Sequence, residues 1–313
     1  MATKIRYLFI EVQNSNSQIS KDEPTIRVKG LRKVFGDQIV LEDVTLDINP
    51  GEIMVVMGGS GSGKSTLLRC IIGSFPPDSG SIELYGSDIT AMSEDSLNEV
   101  RKKFGVLFQS GALYNSMTVS ENIRLPMEEH TDLPDSTMDF MVKLKLAQVA
   151  LETAGDKFPS QISGGMKKRA GLARALALDP KILFYDEPSA GLDPITSAQI
   201  DQLIIDLSKK SGSTSLVITH EMDSAFTIAD RMAYLHKGKI LRVGHKEEFE
   251  KLRDASSLEA EKFSRKDQMI RQFLLAKTNG PLTEERLGIG FSDFLLGDDK
   301  DENKKVPSVQ SSR

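Results

Sequence analysis

The chain has 313 residues, of which 39% are hydrophobic and 27% charged, so it can bury a sizeable core as one large domain or two lobes. Its formal net charge of −5 excludes the strongly basic field of a generic nucleic-acid binder. The apolar runs are far shorter than the roughly 18 residues of a membrane span, and the single cysteine excludes an internal disulfide framework and is typical of a reducing compartment.

Alternating sequence near the N-terminus predicts two half-buried antiparallel strands. The alternation covers Ile26–Lys29 and Val44–Ile48, and Gly36 and Asp37 mark a turn between them. Phe35 stands just before this turn and leaves two interpretations open. It is either a core residue of the strand or an aromatic face that stacks on a nucleotide base.

The strongest motif follows the apolar run Ile53–Met57, which ends in glycines and reopens as helix-forming sequence. This order predicts a buried strand, a tight loop and a helix that together bind phosphate. The glycines turn the backbone N–H groups inward, and the helix start adds its own unpaired N–H groups. We expect Lys64 to contact the β- and γ-phosphates and Ser65 to bind Mg²⁺. The predicted phosphate-binding residues are Gly58, Gly59, Ser60, Gly61, Ser62, Gly63, Lys64, Ser65 and Thr66.

A further candidate strand, Phe104–Phe108, ends at Gln109. A polar residue at this place is ordinarily a solvated strand end. If the strand belongs to the same sheet as the phosphate loop, however, Gln109 can reach the metal or its water. The sequence from Val119 to about Phe158 is polar and helical in pattern, and we interpret it as a helical insertion.

The insertion ends in a Ser-Gly-Gly turn, Ser163 to Gly165, that opens an alanine-rich helix. This turn predicts a second helix N-terminus suited to anions. The alternative is an ordinary N-capped helix whose basic residues, starting with Lys167 and Lys168, form a solvated face.

Two further predicted strands are each followed directly by polar residues. Lys181–Tyr185 is followed by Asp186 and Glu187, and Ser215–Thr219 is followed by His220. Adjacent carboxylates repel each other, and a bound cation would relieve this repulsion. We expect Asp186 to hold Mg²⁺ through its water shell, Glu187 to orient or deprotonate a water, and His220 to contact the γ-phosphate.

The remaining patterns predict a helix over Thr196–Lys210 and a hairpin over Ala233–Gly244. Beyond Glu250, apolar residues paired four positions apart predict another helix; they are Met269 with Phe273 and Ile270 with Leu274.

The motifs, taken in order, resemble those of an ABC-transporter ATPase subunit. The resemblance assigns the A-loop aromatic to Phe35, Walker A to Gly58–Ser65, the Q-loop to Gln109, the signature to Ile162–Met166, Walker B to Phe184–Glu187, the D-loop to Ala190–Asp193 and the H-loop to His220. It implies an α/β fold of the ABC-type P-loop NTPase class. Such a fold has a mainly parallel RecA-like sheet core, an antiparallel β subdomain and an α-helical subdomain.

The resemblance also implies that ATP and Mg²⁺ are bound and that MgATP is hydrolysed. Glu187, His220 and Gln109 are then the catalytic residues, and Ser65, Gln109 and Asp186 the metal-binding ones. In this family two subunits close head to tail, so a homodimer is expected. Nucleotide contacts from the second subunit are then assigned to Ser163, Gly164, Gly165 and Asp193. The Q-loop region is expected to pass motion to integral-membrane permease subunits.

The signature departs from the usual Leu-Ser-Gly-Gly-Gln at Ile162 and Met166. Ser-Gly-Gly-Met is similar to the ATPases of Mla-type, Mce-associated and chloroplast lipid transporters. That resemblance implies phospholipid transport with an Mce-domain partner, at the cytoplasmic face of the inner membrane. Two alternatives are the ATPase of a non-lipid solute importer and a soluble ABC protein of translation or DNA repair. The latter usually has tandem cassettes or a long coiled-coil insertion, and neither is visible here.

The expected organisation has four parts and one subdomain. Residues 1–24 lack the pattern of a secretory signal and are expected to be a poorly ordered leader. The other expected parts are an ATPase domain at 25–250 with a helical subdomain at about 112–165, a C-terminal extension at 251–296 that contacts the second subunit, and a disordered tail at 297–313.

Overall fold

The computed structural model describes residues 23–287. The strands are β1 (Ile26–Phe35), β2 (Gln38–Ile48), β3 (Ile53–Met57), β4 (Ser79–Leu84), β5 (Ser87–Asp88), β6 (Phe104–Leu107), β7 (Ile182–Asp186), β8 (Thr214–Thr219), β9 (Arg231–His236) and β10 (Lys239–His245). The helices are α1 (Lys64–Ile71), α2 (Glu94–Arg101), α3 (Val119–His130), α4 (Asp135–Gln148), α5 (Gly164–Ala175), α6 (Pro194–Ser211), α7 (Met222–Ile228), α8 (Lys246–Asp254), α9 (Ser257–Ala260), α10 (Arg265–Leu274) and α11 (Pro281–Leu287).

The main sheet has the strand order β10-β9-β3-β8-β7-β6, and every neighbouring pair except β10 with β9 is parallel. The five residues of β3 are all buried, as expected for a parallel strand covered on both faces. The register pairs Met57 with Thr219 and Asp186 with Ile218. The chain segments that follow β3, β7 and β8 therefore leave the sheet at the same edge, and the site forms there.

A second sheet of four strands is antiparallel throughout, in the order β2-β1-β4-β5. The predicted turn at Gly36 and Asp37 joins β1 to β2. The hairpin is longer than the alternating sequence that predicted it. In its added part, the pairing of β1 with β2 contains register shifts. Apolar residues of this sheet, among them Ile26 and Leu46, pack in one core cluster with Val56 of β3 and Leu67 of α1.

The predicted helical insertion contains α3, α4 and a short 3₁₀ turn, Pro159–Gln161, before α5. A capping box formed by Thr118 and Glu121 begins α3, because each side chain bonds a backbone N–H of the other. Two helices begin earlier than predicted. The helix after the phosphate loop begins at Lys64 rather than at Thr66, and α6 begins at Pro194 because Asp193 caps it and proline fits the first helical position.

A first compact unit ends at Glu250, and a second begins at Lys251, within α8. The second unit contains the predicted helix as α10. The amide of Gln272 in α10 is buried and connects it to α11: its Oε1 accepts from the Leu282 N–H at 2.7 Å, and its Nε2 donates to Thr283 Oγ1 at 2.8 Å.

These sheets and helices confirm the predicted α/β fold class, with a mainly parallel sheet, an antiparallel sheet and a helical segment. Within residues 23–287, none of the helices combines the length and apolarity that a membrane crossing needs. The predicted leader, except for its last two residues, the predicted tail and the end of the predicted extension, from 288 onward, lie outside the described residues.

Candidate active site

The glycine-rich loop lies between β3 and α1, at the sheet edge described above. Gly58 sits so close to β9 that a Cβ there would lie 2.2 Å from the Leu235 carbonyl oxygen. Gly63 has a φ of +106°, a conformation that side chains rarely adopt, and a Cβ on it would lie 2.8 Å from Leu41 Cδ2. Glycine is therefore required at both ends of the loop. The loop ends directly in the first turn of α1, where N–H groups are unpaired.

Lys64 points back into this loop. Its Nζ donates to the carbonyl oxygens of Gly58 at 2.7 Å and Gly59 at 3.1 Å, and the side chain is buried. Burial lowers the pKa of the Lys64 ammonium, and the charges of Glu187 and Asp186 oppose this effect. The lysine thus places a positive charge inside the loop and next to two carboxylates.

Ser65 and Asp186 form a pair of oxygen ligands suited to a hard cation. Ser65 Oγ lies 3.4 Å from Asp186 Oδ1. Burial and then the charge of Glu187 raise the pKa of Asp186, although Ser65, Arg69 and Lys64 favour its ionised form. Among the described residues, no cluster of three or more His, Cys, Asp or Glu side chains forms a metal site. A hydroxyl and one carboxylate fit Mg²⁺, which typically takes few protein ligands and completes its shell with water and phosphate oxygens.

Glu187 and His220 face each other across the ends of β7 and β8. His220 Nδ1 lies 2.8 Å from Glu187 Oε1, and the His220 backbone N–H donates to Oε2 at 3.2 Å. The Glu187 side chain is 10% exposed and that of His220 is 55% exposed. This arrangement holds the carboxylate in one direction while the imidazole stays open to solvent. A carboxylate so held can orient a water and accept its proton.

The Ser-Gly-Gly turn begins α5 as predicted. Ser163 is the N-cap, and its Oγ accepts a hydrogen bond from the Met166 N–H at 3.3 Å. Ser163 and Gly164 are exposed, whereas Gly165 is buried, since a Cβ there would lie 2.5 Å from Thr196 Cγ2. The first turn of α5 is therefore exposed at Ser163 and Gly164 and packs on the start of α6 at Gly165.

Comparison with known proteins agrees with this geometry. A family model described as "ABC transporter" matches residues 41–190. A probable ribonucleotide transport ATP-binding protein, mkl, of Mycobacterium leprae is 43% identical over 257 residues, which cover 82% of this chain and 70% of that protein. The chain belongs to the ABC transporter family. It is an ABC-type ATPase.

Another relative and a solved structure extend the comparison. The intermembrane phospholipid transport system ATP-binding protein MlaF of Escherichia coli is 40% identical over 247 residues, or 79% of this chain and 87% of that protein. A dimeric ATP-binding cassette, solved in a post-hydrolysis state bound to ADP and Pi, superposes with a TM-score of 0.66 at 31% identity. It covers 71% of this chain and 98% of its own.

The predicted A-loop residue of this ABC ATPase, Phe35, lies at the end of β1. Phe35 is 44% exposed, and its ring packs edge-to-face with that of Phe75, with the centroids 5.5 Å apart. Lys33 Nζ lies 5.3 Å from the Phe35 centroid. The structure thus favours a surface aromatic that is supported from one side over the alternative of a core residue.

Two other predicted residues of the ABC motifs lie near the edge of the site. Gln109 is exposed two residues beyond β6, at the same sheet edge as Asp186. Asp193 of the predicted D-loop uses its carboxylate to cap α6: Oδ1 accepts from the N–H groups of Ile195 and Thr196, and Oδ2 from the Thr196 hydroxyl. These bonds lower the pKa of Asp193. Its contact with nucleotide stays a prediction.

The alternative interpretation of α5, a helix with a solvated basic face, is wrong at one residue. Lys168 does not belong to a solvated basic face but is 5% exposed, and its Nζ donates to the carbonyl oxygens of Glu187 at 2.9 Å and Ala190 at 2.7 Å. Burial lowers the pKa of Lys168, opposed by the charges of Glu221 and Glu187. No local sequence signal separates Lys168 from the neighbouring Lys167, because its burial depends on a turn 19 residues away.

Proposed function

We propose that this chain is the ATP-binding subunit of an ABC transporter that hydrolyses MgATP to move phospholipid between membranes. The observation that carries the lipid assignment is the 40% identity, over 87% of its length, with the E. coli protein named for intermembrane phospholipid transport. The departure of the signature at Met166 from the usual glutamine supports the same branch.

The proposed hydrolysis uses the residues at the sheet edge. The loop Gly58–Ser65 and the start of α1 bind the phosphates through backbone N–H groups, and Lys64 neutralises the β- and γ-phosphates. Glu187 orients the attacking water and accepts its proton, and His220 holds the carboxylate and contacts the γ-phosphate. The support for these roles is the bonded pair of Glu187 and His220 next to the buried ammonium of Lys64.

Mg²⁺ is assigned to Ser65 and Asp186, with Gln109 at the margin of its water shell. When bound, the ion neutralises charge on the phosphate oxygens. The raised pKa of Asp186 supports this assignment, because a cation offsets the cost of an ionised carboxylate in a partly buried place. Phe35 stacks on the base of ATP, and its half-exposed ring supports this role.

The proposed active form is a homodimer in which Ser163, Gly164 and Gly165 of one subunit cover the γ-phosphate bound by the other. The exposure of Ser163 and Gly164 supports this arrangement, and the similar cassette bound to ADP and Pi was solved as a dimer. Asp193 caps the start of α6, against which Gly165 packs, and this supports assigning it to the same interface.

The proposed membrane partners are integral-membrane permease subunits and an Mce-domain lipid-binding protein, with this chain at the cytoplasmic face of the inner membrane. The proposed permease contact is a groove of about 680 Å³. It is lined by residues of α2, β6, α3 and α5, including Glu99, Arg101 and Arg174. Arg174 also donates to the carbonyl oxygens of Gly111 and Ala112, so the groove is joined to the segment that follows Gln109.

A second candidate is the ATPase of an importer for a non-lipid solute. The observation that favours it is the 43% identity with the mycobacterial protein named for ribonucleotide transport. The chemistry at Lys64, Asp186 and Glu187 is the same for both candidates. Only the partner and its cargo distinguish them.

The test is a mild-detergent purification of the tagged chain from its native membrane, followed by mass spectrometry of the copurified proteins and lipids. The lipid proposal predicts a multispanning permease, an Mce-domain protein and bound phospholipid. The purified complex should then hydrolyse ATP faster when phospholipid is added. A second ribonucleotide, added beside the ATP, should leave the rate unchanged. A permease with a solute receptor, or stimulation by the ribonucleotide alone, would favour the second candidate.

A further inference from the structure

Lys168 occupies an unusual position for a lysine. It lies in α5, five residues after the N-cap Ser163, with 5% of its surface exposed. A buried ammonium is costly unless hydrogen-bond acceptors surround it. Here two acceptors come from a single turn, the backbone carbonyl oxygens of Glu187 at 2.9 Å and Ala190 at 2.7 Å.

The turn that Lys168 binds begins at a residue with a costly backbone conformation. Glu187 has a φ of +51°, which a residue other than glycine rarely adopts because it strains the backbone. Such a conformation persists only when neighbouring bonds enforce it. The Glu187 N–H donates to the Ile218 carbonyl oxygen of β8 at 2.8 Å, and the Glu187 carbonyl oxygen accepts from Lys168.

Glu187 is thus fixed at both of its peptide groups. The strand β8 holds the N–H side, Lys168 holds the C=O side, and the backbone angles between them set the direction in which the carboxylate leaves the chain. The Ala190 N–H also donates to the Glu187 carbonyl oxygen, but at 3.3 Å, which is longer than the bond from Lys168. Removing the ammonium therefore removes the shorter of the two bonds to this carbonyl and the bond that ties Ala190 to α5.

We propose that Lys168 is a positioning residue for ATP hydrolysis: its ammonium holds the turn from Glu187 to Ala190 so that the Glu187 carboxylate points at the attacking water. The inference rests on the role proposed above for Glu187. Lys168 itself touches neither nucleotide nor water in this scheme. It acts through the backbone of Glu187.

The first measurement compares the full-length chain with its Lys168→Met variant, which keeps the aliphatic stem and removes the charge. We expect kcat for ATP to fall by on the order of tenfold to a hundredfold, because a misplacement of about 1 Å is worth that much in a positioned reaction. The KM for ATP and the affinity for a fluorescent ATP analogue should change less than about threefold, since the glycine-rich loop is untouched. A variant that keeps the parent kcat would overturn the proposal.

Two further variants separate positioning from general damage to the fold. Lys167→Met removes the neighbouring, more exposed ammonium and should keep the parent kcat. Lys168→Gln retains N–H donors on a neutral side chain and should fold, with a kcat between those of the parent and Lys168→Met. If Lys168→Gln and Lys168→Met both melt at the parent temperature and both retain full kcat, Lys168 has no positioning role.

The decisive comparison repeats Lys168→Met in a Glu187→Gln background, with single-turnover hydrolysis as the readout. If Lys168 acts through Glu187, the second substitution should change the residual rate by less than about twofold, because coupled residues are not additive. An equal loss in both backgrounds would show a merely structural role. If Glu187→Gln alone keeps the parent rate, the proposed role of Glu187 fails first, and that outcome is visible without any Lys168 variant.

Discussion

The two glycine-rich helix starts of this protein are alike in sequence and different in surroundings. At the start of α1, the lysine is buried inside the loop, and the serine that follows lies 3.4 Å from Asp186. At the start of α5, Ser163 and Gly164 are exposed, and the serine hydroxyl caps its own helix. Lys168 is the first buried basic residue after Ser163, and it binds the carbonyl oxygens of Glu187 and Ala190.

The difference indicates that the two helix starts have different roles in binding phosphate. The first helix start is completed by its own chain with a cation, a hydroxyl and two carboxylates. At the second, the bonds described for the first turn bring in the Ser163 hydroxyl but no cation and no carboxylate, and Ser163 and Gly164 are exposed. This helix start is therefore suited to complete a phosphate site that another molecule supplies, which is the basis of the proposed homodimer.

The largest expected effect concerns the first helix start and its base. Glu187→Gln keeps the shape of the side chain and removes the proton acceptor, so kcat should fall by about 10²–10⁴-fold, the range of general-base catalysis. Binding of a fluorescent ATP analogue should change less than about threefold. Glu152→Gln makes the same charge change at an exposed position away from these residues in the chain and serves as the control. A Glu187→Gln variant that turns over ATP at the parent rate would contradict the assignment.

The next effect tests the second helix start. In Gly164→Glu, the new carboxylate should suit the helix dipole and leave folding intact, since a Cβ at Gly164 meets only Leu192 Cδ2 at 3.7 Å. It should, however, repel the partner's γ-phosphate and lower kcat at least about tenfold. Analogue binding to the single chain should not change. Gly164→Ala is the matched control, and equal activity of the two variants would remove α5 from the reaction.

A smaller effect is expected at Phe35. Phe35→Ala removes the exposed ring and should raise the KM for ATP about tenfold with little change in kcat, because stacking is worth about 1–3 kcal/mol per base. Phe35→Tyr keeps the ring and should keep the KM. An unchanged KM in Phe35→Ala would show that the ring serves only the contact with Phe75.

The sequence predicts most of this fold because its strands are short and strongly patterned. The apolar run before Gly58 and the polar residues that end β7 and β8 indicate one sheet edge without any structure. Local sequence does not show the contacts that distant parts of the chain make with a residue. Lys168 looks like Lys167, and the φ of Glu187 depends on bonds to Ile218 and Lys168 from distant elements.

The start of α6 and the end of β1 differ from the bounds that periodicity and alternation alone predict. Asp193 followed by Pro194 is a typical N-cap and first helical residue, and it predicts the start of α6 two residues before the periodic pattern does. The extension of β1 to Phe35 depends on irregular register with β2, which alternation alone does not show.

The smallest expected effect is on stability. Because the pKa of Asp186 is raised in the fold, its ionised form destabilises the nucleotide-free protein above that pKa, and the cost vanishes below the unfolded value of about 3.9. Asp186→Asn should therefore raise the melting temperature by a few degrees at pH 7, and the gain should shrink as the pH falls toward 4. Asp132→Asn, an exposed loop change, should have no such effect. A lower melting temperature for Asp186→Asn at pH 7 would contradict the account.

The most direct test of the division between the two helix starts is to mix two inactive chains. Lys64→Met disables the first helix start and Gly164→Glu the second, so each homodimer has two defective sites. A mixed dimer retains one site with both halves intact, and random pairing at equal amounts should restore up to roughly a quarter of the parent ATPase rate. Recovery on mixing is the predicted result. If the mixture stays as inactive as its components, although the chains pair in a crosslinking control, the shared site is refuted.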